Sequence, residues 1–142
     1  MKNIAAIALF VVASFIATGP AHAQDYTVKA TVPFNFTVGA STLPSGTYTI
    51  GSRTTTPAVL SIRNWDKQVS ILSMGLPNQS NPGRNNILVF HKYGNQYFLS
   101  DIRSEGAAMN LHFPTTKAEK RAKAQVEEAG LFVDDPILIA LK

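Results

Sequence analysis

The chain has 142 residues, no cysteine and a formal net charge of +4 at pH 7. A chain of this length forms one domain, and the lack of cysteine excludes disulfides and thiolate metal sites. Its basic residues are dispersed, whereas a nucleic-acid-binding domain carries a concentrated basic stripe with interleaved aromatic residues. We therefore do not expect nucleic acid as a partner.

The N-terminus has the three parts of a secretory signal peptide. Lys2 supplies the positive charge, residues 4–16 form an uncharged apolar run, and Ala21-His22-Ala23 matches the cleavage pattern. The run is shorter than the ~18 or more apolar residues that cross a bilayer, and it ends at Gly19-Pro20. We therefore predict a signal peptide over residues 1–23 and a mature domain of 24–142 without a membrane span, exported to the periplasm or the extracellular space.

The first part of this domain predicts a β-strand, because its apolar residues recur at every second position and so form one buried face. These residues are Tyr26, Val28, Ala30, Val32, Phe34, Phe36 and Val38. Pro33 cannot donate a ladder hydrogen bond. We interpret residues 25–32 and 34–38 as one long strand that bends at Pro33.

Further short apolar runs, each ending at turn residues, predict more strands. They cover residues 47–50, 57–63, 68–73, 86–93, 96–102, 109–113 and 137–141. Leu43-Pro44-Ser45-Gly46 and Asn64 to Lys67 are predicted turns, and residues 75–86 form a long surface loop rich in Asn, Pro and Gly.

The pair Gly94-Asn95 predicts a two-residue hairpin turn between two of these strands. A two-residue loop fixes which residues face each other across the hairpin. The expected pairs are Tyr93 with Gln96, His91 with Phe98, Phe90 with Leu99, and Val89 with Ser100. Both faces of the hairpin carry apolar residues, which predicts a position in the middle of a sheet or coverage on both sides.

One helix is predicted, from Lys117 to Ala129. Thr116 and Glu119 match a capping box, and Gly130 ends the run. Its thin apolar stripe predicts a surface position. This stripe is made of Ala118, Ala122, Val126 and Ala129. Glu119 and Lys123 are spaced for an i,i+4 ion pair.

Together these elements predict an all-β domain, a single antiparallel β-sandwich of seven to nine strands with one surface helix before a C-terminal strand. A small β-barrel is the alternative. The predicted core consists of the inward positions of the strands. They are Val28, Val32, Phe34, Phe36, Val38, Tyr48, Ile50, Leu60, Ile62, Ile71, Phe90, Leu99, Leu111 and Phe113.

The blocks VPFNFTVG, LPSGTYTI and LVFHKYGNQYFLSDI, followed by Pro114 and a charged helix, resemble a group of short exported bacterial proteins. That group shares VPFxFxVG, LPxGxYT and YGxxYFLS blocks, and the resemblance covers nearly the whole mature chain. It implies a shared fold and an envelope location. The group has no assigned activity, so the resemblance implies no site residues.

Few residues in the mature chain are candidates for catalysis or metal binding. His91 and His112 lack the spacing of metal ligands, and we predict no metal or cofactor site. A triad of Ser100, His91 and Asp101 requires a β-bulge, because adjacent residues on a strand point to opposite faces. We expect the carboxylate pairs Glu127-Glu128 and Asp134-Asp135 to be solvated, as is typical of exposed acids, and we predict no catalytic residue.

Two surface features indicate binding. Lys117 and Lys120 form a small basic patch on the helix, for an anionic polymer or membrane, or simply a solvated face. Trp65 lies in a predicted turn, either exposed as a contact surface or folded over the sheet.

We therefore predict a non-catalytic envelope domain that binds a partner protein, a polymer or a small ligand. The alternatives are a secreted hydrolase with a site built across strands, and a barrel that carries a small apolar ligand. In the last case a cavity would be lined by Phe34, Phe36, Phe90 and Phe98.

Overall fold

The computed structural model describes residues 25–53, 56–79, 85–105 and 109–142, so the predicted signal peptide and cleavage site lie outside the described residues. The all-β fold with one helix before a terminal strand is confirmed. The described elements are β1 (Asp25–Val32), β2 (Phe36–Val38), β3 (Ser41–Leu43), β4 (Gly46–Arg53), β5 (Thr56–Asn64), β6 (Val69–Met74), β7 (Leu76–Pro77), β8 (Ile87–Tyr93), β9 (Gln96–Ser104), β10 (Met109–His112), α1 (Lys117–Glu128) and β11 (Ile137–Ala140).

The strands form two sheets that curl around one core in a sandwich-like arrangement. The first sheet has four antiparallel strands in the order β1-β4-β5-β6. The second has the order β11-β8-β9-β10-β7, and β2 and β3 form a small hairpin that joins it through one parallel bridge from Thr37 to Phe98.

The two sheets are joined at both sides. At one side β6 continues through Gly75 into β7, so a single stretch of chain passes from the first sheet to the second. A Cβ at Gly75 would lie 2.9 Å from Leu111 Cβ, so glycine permits this close passage. At the other side Lys29 in β1 exchanges backbone hydrogen bonds of 2.9 and 2.8 Å with Lys142, beyond β11. Joined in this way at both sides, the two sheets enclose one core.

The prediction of one long strand bent at Pro33 is wrong. The chain between Val32 and Phe36 passes from the first sheet to the second, so β1 and β2 pair with different partners. The alternation of apolar and polar residues continues from β1 into β2 because both strands face the same core. The described residues form eleven strands instead of seven to nine, because the short β2, β3 and β7 were not predicted separately.

The predicted loop 75–86 is wrong at its start, where Leu76 and Pro77 pair with β10 as β7. The predicted terminal strand is confirmed: β11 runs antiparallel to β8 and pairs along its edge. Leu141, just beyond β11, is buried against the core. Ile137, Ile139 and Leu141 thus pack against the core, as their hydrophobicity favours, whereas Leu138 and Ala140 are exposed.

Eleven of the fourteen predicted core residues are buried, and Val28, Phe34 and Ile71 pack against the core while partly exposed. Aromatic rings pack against one another at the centre of the core. Phe36 and Phe34 each meet Phe90 edge-on, with ring centroids 5.3 and 5.2 Å apart. Edge-to-face contacts of this kind add to the burial energy of each ring.

The predicted hairpin between β8 and β9 is confirmed for three of its four pairs, and Gly94 adopts the positive φ of 60° that the turn requires. The fourth pair is wrong: Val89 faces Asp101, and the register shifts between Val89 and Phe90. Ser100 is therefore the extra residue of a β-bulge, which brings its side chain to the neighbourhood of Asp101.

The helix packs on the outer face of the second sheet. Thr116 is its N-cap and accepts a 3.1 Å hydrogen bond from the backbone N–H of Glu119. The predicted apolar stripe is partly wrong, because Ala118 and Ala129 are exposed. The buried positions are Glu119, Ala122 and Val126, which pack with Tyr93 and Phe98.

Candidate functional site

The four-stranded sheet has a groove on its outer face. Tyr48, Ile50, Leu60 and Ile62 of β4 and β5 are buried toward the core, so the alternate residues of these strands point outward. The register places outward residues of all four strands in rows. One row is Lys29-Thr49-Arg63-Ser70, and the next is Thr27-Gly51-Ser61-Leu72.

Gly51 lies in the second row and has no side chain, so the row dips at its centre. The resulting groove has a volume of about 460 Å³. That volume falls within the ~300–1,000 Å³ of typical ligand sites. Its lining combines hydroxyl, apolar, aromatic and cationic groups, contributed by Thr27, Thr49, Gly51, Ser52, Thr56, Val59, Ser61, Arg63, Trp65 and Leu72.

An aromatic and a cationic side chain form one end of the groove. Trp65, in the turn after β5, is 70% exposed, which confirms the exposed alternative for this residue. The Arg63 guanidinium lies 5.7 Å from the centroid of the Trp65 ring, a cation–π distance. Arg63 Nε also donates a 3.1 Å hydrogen bond to Ser61 Oγ, which holds the guanidinium in place.

The groove is cationic. The sequence from Tyr26 to Trp65 contains no Asp or Glu, and Asp66, the first carboxylate after it, does not line the groove. Among the described residues, Arg63 makes no ion pair with a carboxylate. Its guanidinium therefore keeps hydrogen-bond donors for an external anion.

A polar cluster lies on the second sheet around Asp101. Ser100 Oγ donates a 2.9 Å hydrogen bond to Asp101 Oδ2, and Asn78 Nδ2 donates one of 3.1 Å to Oδ1. His112 Nδ1 is 3.2 Å from Oδ1. The triad of Ser100, His91 and Asp101, an alternative to the predicted absence of catalytic residues, does not form, because the histidine at Asp101 is His112, although the bulge that such a triad requires is present.

His91 contacts the helix instead. Its Nδ1 lies 2.8 Å from Oε1 of Glu119, whose carboxylate is buried and is also approached by the Tyr93 hydroxyl at 3.5 Å. Burial raises the pKa of Tyr93, and the nearby Glu119 carboxylate raises it further. The predicted pair of Glu119 with Lys123 is wrong, because Glu119 points into the sheet and Lys123 pairs with Glu127 at 3.8 Å.

The remaining candidates from the sequence are on the surface. Lys117, Lys120 and the two carboxylate pairs are exposed. Lys92 Nζ forms an ion pair with Asp134 Oδ2 at 2.8 Å, and the hydrogen bond to this carboxylate raises the pKa of Lys92. These groups do not converge on one cleft.

The four phenylalanines that a ligand cavity required are divided between two clusters. Phe34 and Phe36 both contact Phe90 in and around the core. Phe98 lies in the separate cluster beneath the helix. The rings therefore do not line one common cavity.

No family model, curated protein or solved structure matches this chain. Within the described ranges, no three His, Cys, Asp or Glu side chains come together in a way that could hold a metal ion. The described part of the chain also contains no helix that is long and apolar enough to cross a membrane.

The groove is not predicted by the sequence pattern. Its position in a predicted turn makes Trp65 a candidate contact residue, whereas no turn signal indicates Arg63, Ser61 or Gly51. A signal was present: Gly51 interrupts the outward positions of a strand, and an isolated strand glycine indicates close approach by another group. Only the register shows that Gly51 lies beside Ser61 and Thr27.

Proposed function

We propose that the protein is an exported, non-catalytic domain that binds its ligand in the groove on the outer face of the four-stranded sheet. The observation that carries this proposal is the pairing of exposed Trp65 with Arg63 beside the side-chain-free position Gly51. Export is supported by the N-terminal sequence, in which Lys2 precedes an apolar run that ends before Ala21-His22-Ala23.

The groove suits recognition because its walls are held in place before a ligand arrives. β4 and β5 are paired on both sides, so their outward side chains keep a fixed spacing. Arg63 is further fixed by Ser61 and Trp65. Groups that are already ordered lose less entropy on binding, which favours affinity.

A secreted hydrolase is the second candidate, and the contact between His112 and Asp101 favours it. A serine hydrolase places the histidine between the nucleophile and the carboxylate, so that the histidine accepts the serine proton. Here the carboxylate lies in the middle, and Ser100 donates to Asp101. Because this arrangement gives Ser100 no histidine base, we favour the binding function.

The cluster around Asp101 has a structural role that accounts for its residues. Asp101 is in β9, His112 is in β10, and Asn78 follows β7, so the carboxylate connects three neighbouring strands. Buried carboxylates are stable only when they are hydrogen-bonded in this way.

Chemical-shift mapping by NMR tests the proposal. The protein is titrated with a panel of soluble envelope polymers, both neutral and acidic, and the amides that shift are located. We expect the shifts to concentrate at groove residues such as Gly51 and Ser61. They should disappear in Trp65→Ala and persist in Phe132→Ala, a matched control because Phe132 is 96% exposed and does not line the groove.

Two results would contradict the proposal. The first is a titration in which the shifting amides lie away from the groove, or in which Trp65→Ala binds as the unchanged protein does. The second is reproducible turnover in a broad hydrolase screen that His112→Ala or His91→Ala abolishes.

A further inference from the structure

We infer that the ligand of the groove is an acidic polysaccharide, a chain of sugar rings that carry carboxylates at regular intervals. This inference rests on the proposed function and names the chemical class of the ligand. It is carried by three features of the outer face: the spacing of its cations, the exposed tryptophan, and the hydroxyl groups of the lining.

The spacing of the cations fits a repeating anion. Lys29 and Arg63 lie in the same row, on strands separated only by β4. Two strand spacings of about 4.8 Å put their backbones about 10 Å apart. Arg63 lines the groove and Lys29 lies outside its lining, so a linear ligand that extends from the groove along this row passes a second cationic residue.

The Arg63 guanidinium is suited to a carboxylate. Its Nε is engaged by Ser61 at 3.1 Å, which leaves the two terminal nitrogens as a planar fork. A guanidinium fork binds a carboxylate through two parallel hydrogen bonds. No carboxylate of the described residues takes this place, so the fork is open to a ligand.

Sugar rings fit the rest of the lining. The face of a tryptophan ring carries partial negative charge and attracts the C–H groups of an apolar sugar face. Trp65 remains 70% exposed with Arg63 beside it, so ring surface is open to a ligand. Thr27, Thr49 and Ser61 add hydroxyls that both donate and accept hydrogen bonds, as sugar hydroxyls require.

A nucleic acid is a poorer fit for the same surface. Single-stranded nucleic acid presents a phosphate at every nucleotide and is bound by continuous positive grooves with several stacking aromatics. This groove has one aromatic side chain, Trp65, and one cationic side chain, Arg63, in its lining. The charge density is that of a sparsely charged sugar polymer.

The test uses Trp65 as its own reporter, because it is the single tryptophan of the chain. Its fluorescence is followed while the protein is titrated with polygalacturonate, with the fully methyl-esterified form of the same polymer, and with poly-dT. The two sugar polymers share one backbone and differ only in the methyl ester, which removes the charge of each carboxylate. Calorimetry repeats each titration without relying on the tryptophan signal.

We expect polygalacturonate to bind and the esterified polymer to bind about tenfold more weakly, because a charge-assisted contact is lost. Arg63→Gln should weaken polygalacturonate binding about tenfold, with little effect on the esterified polymer. Arg121→Gln, the same change on the exposed face of α1, should bind as the unchanged protein does. Added salt should weaken the binding of the charged polymer and leave the binding of the esterified polymer unchanged.

Three outcomes would overturn the inference. If both sugar polymers bind equally and Arg63→Gln has no effect, while Trp65→Ala abolishes binding in the calorimeter, the groove binds neutral glycans and the proposed function survives. If poly-dT binds as tightly as polygalacturonate with the same dependence on Arg63, the groove recognises nucleic acid or polyanions in general. If neither sugar polymer binds, acidic polysaccharide is wrong, and the proposed function is then decided by the shift mapping alone.

Discussion

Phe36 lies where the two sheets meet, and replacing it with alanine tests whether the alternating face of the first segment is the core face. Its side chain is 3% exposed. The ring meets Tyr48 and Phe90 edge-on, with centroids 5.2 and 5.3 Å away. Removing it therefore deletes buried area and two aromatic contacts at once.

The cost follows from these contacts. Truncating a buried phenylalanine to alanine costs about 3 to 5 kcal/mol, because transfer energy is lost and a cavity remains. Each edge-to-face pair adds about 0.5 to 1.5 kcal/mol beyond burial, which places Phe36→Ala at the upper end of that range. A domain has a free energy of unfolding of only about 5 to 15 kcal/mol, so the variant should lose a third or more of its stability.

Urea titration and thermal melting, both followed by far-ultraviolet circular dichroism, measure the loss. At about 4 °C per kcal/mol the melting temperature should fall by roughly 12 to 20 °C. Phe132→Ala is the matched control, because the same atoms are removed from a side chain that is 96% exposed. That control should change stability by less than about 0.5 kcal/mol. Equal effects of the two substitutions would refute the assignment of Phe36 to the core.

Four further changes probe the joins and contacts of the fold. Gly75→Ala puts a Cβ 2.9 Å from a side-chain carbon of β10, and urea titration should show a loss of about 1 to 3 kcal/mol. Glu119→Gln removes the charge beside His91, and hydrogen exchange should show faster opening of α1, with about 1 to 3 kcal/mol lost. Deleting residues 137–142 leaves an edge of β8 unpaired, so light scattering should detect aggregation. The raised pKa of Tyr93 favours the neutral phenol in the folded state, so its contribution is present below pH 10 and is lost as the pH rises through the folded-state pKa. Alkaline unfolding curves should show that loss, and the loss should be smaller in Tyr93→Phe, where buried Tyr48, whose pKa is also raised, still contributes.

Each of these has an outcome that contradicts it. Gly75→Ala at full stability would mean that β6 and β7 can separate freely. Glu128→Gln, on the exposed face of the same helix, is the control for Glu119→Gln. Equal rates of hydrogen exchange in the two variants would mean that the buried contact between Glu119 and His91 does not stabilise α1. A truncated chain that stays soluble and fully stable would make β11 dispensable. Identical alkaline curves for Tyr93→Phe and the unchanged protein would assign the transition to another group.

The sequence predicted the local structure of this chain well because local structure has local causes. Alternating apolar residues identified the buried faces, Gly94-Asn95 predicted the hairpin turn, and Thr116 with Glu119 predicted the start of the helix. Each of these signals lies within a few residues of the element that it determines.

The failures concern partners that are distant in sequence. Alternation shows which face of a strand is buried but not which sheet the strand joins, so the passage near Pro33 from one sheet to the other was missed. The bulge at Ser100 was also missed. It brings Ser100 and Asp101 together, where Asp101 meets Asn78 and His112 from other parts of the chain. The groove, for the same reason, appears only when four strands are in register.

The distribution of polar contacts favours the outer groove over the histidines as the proposed binding site. His91 and His112 each face a carboxylate that connects elements of the fold, so these pairs are explained by structure alone. Arg63 and Trp65 project from the sheet, and neither is needed to connect two elements. A cation without a carboxylate partner and a large exposed aromatic ring gain most of their contact energy only when another molecule covers them. The exposure of these two groups therefore supports the proposed binding at this face.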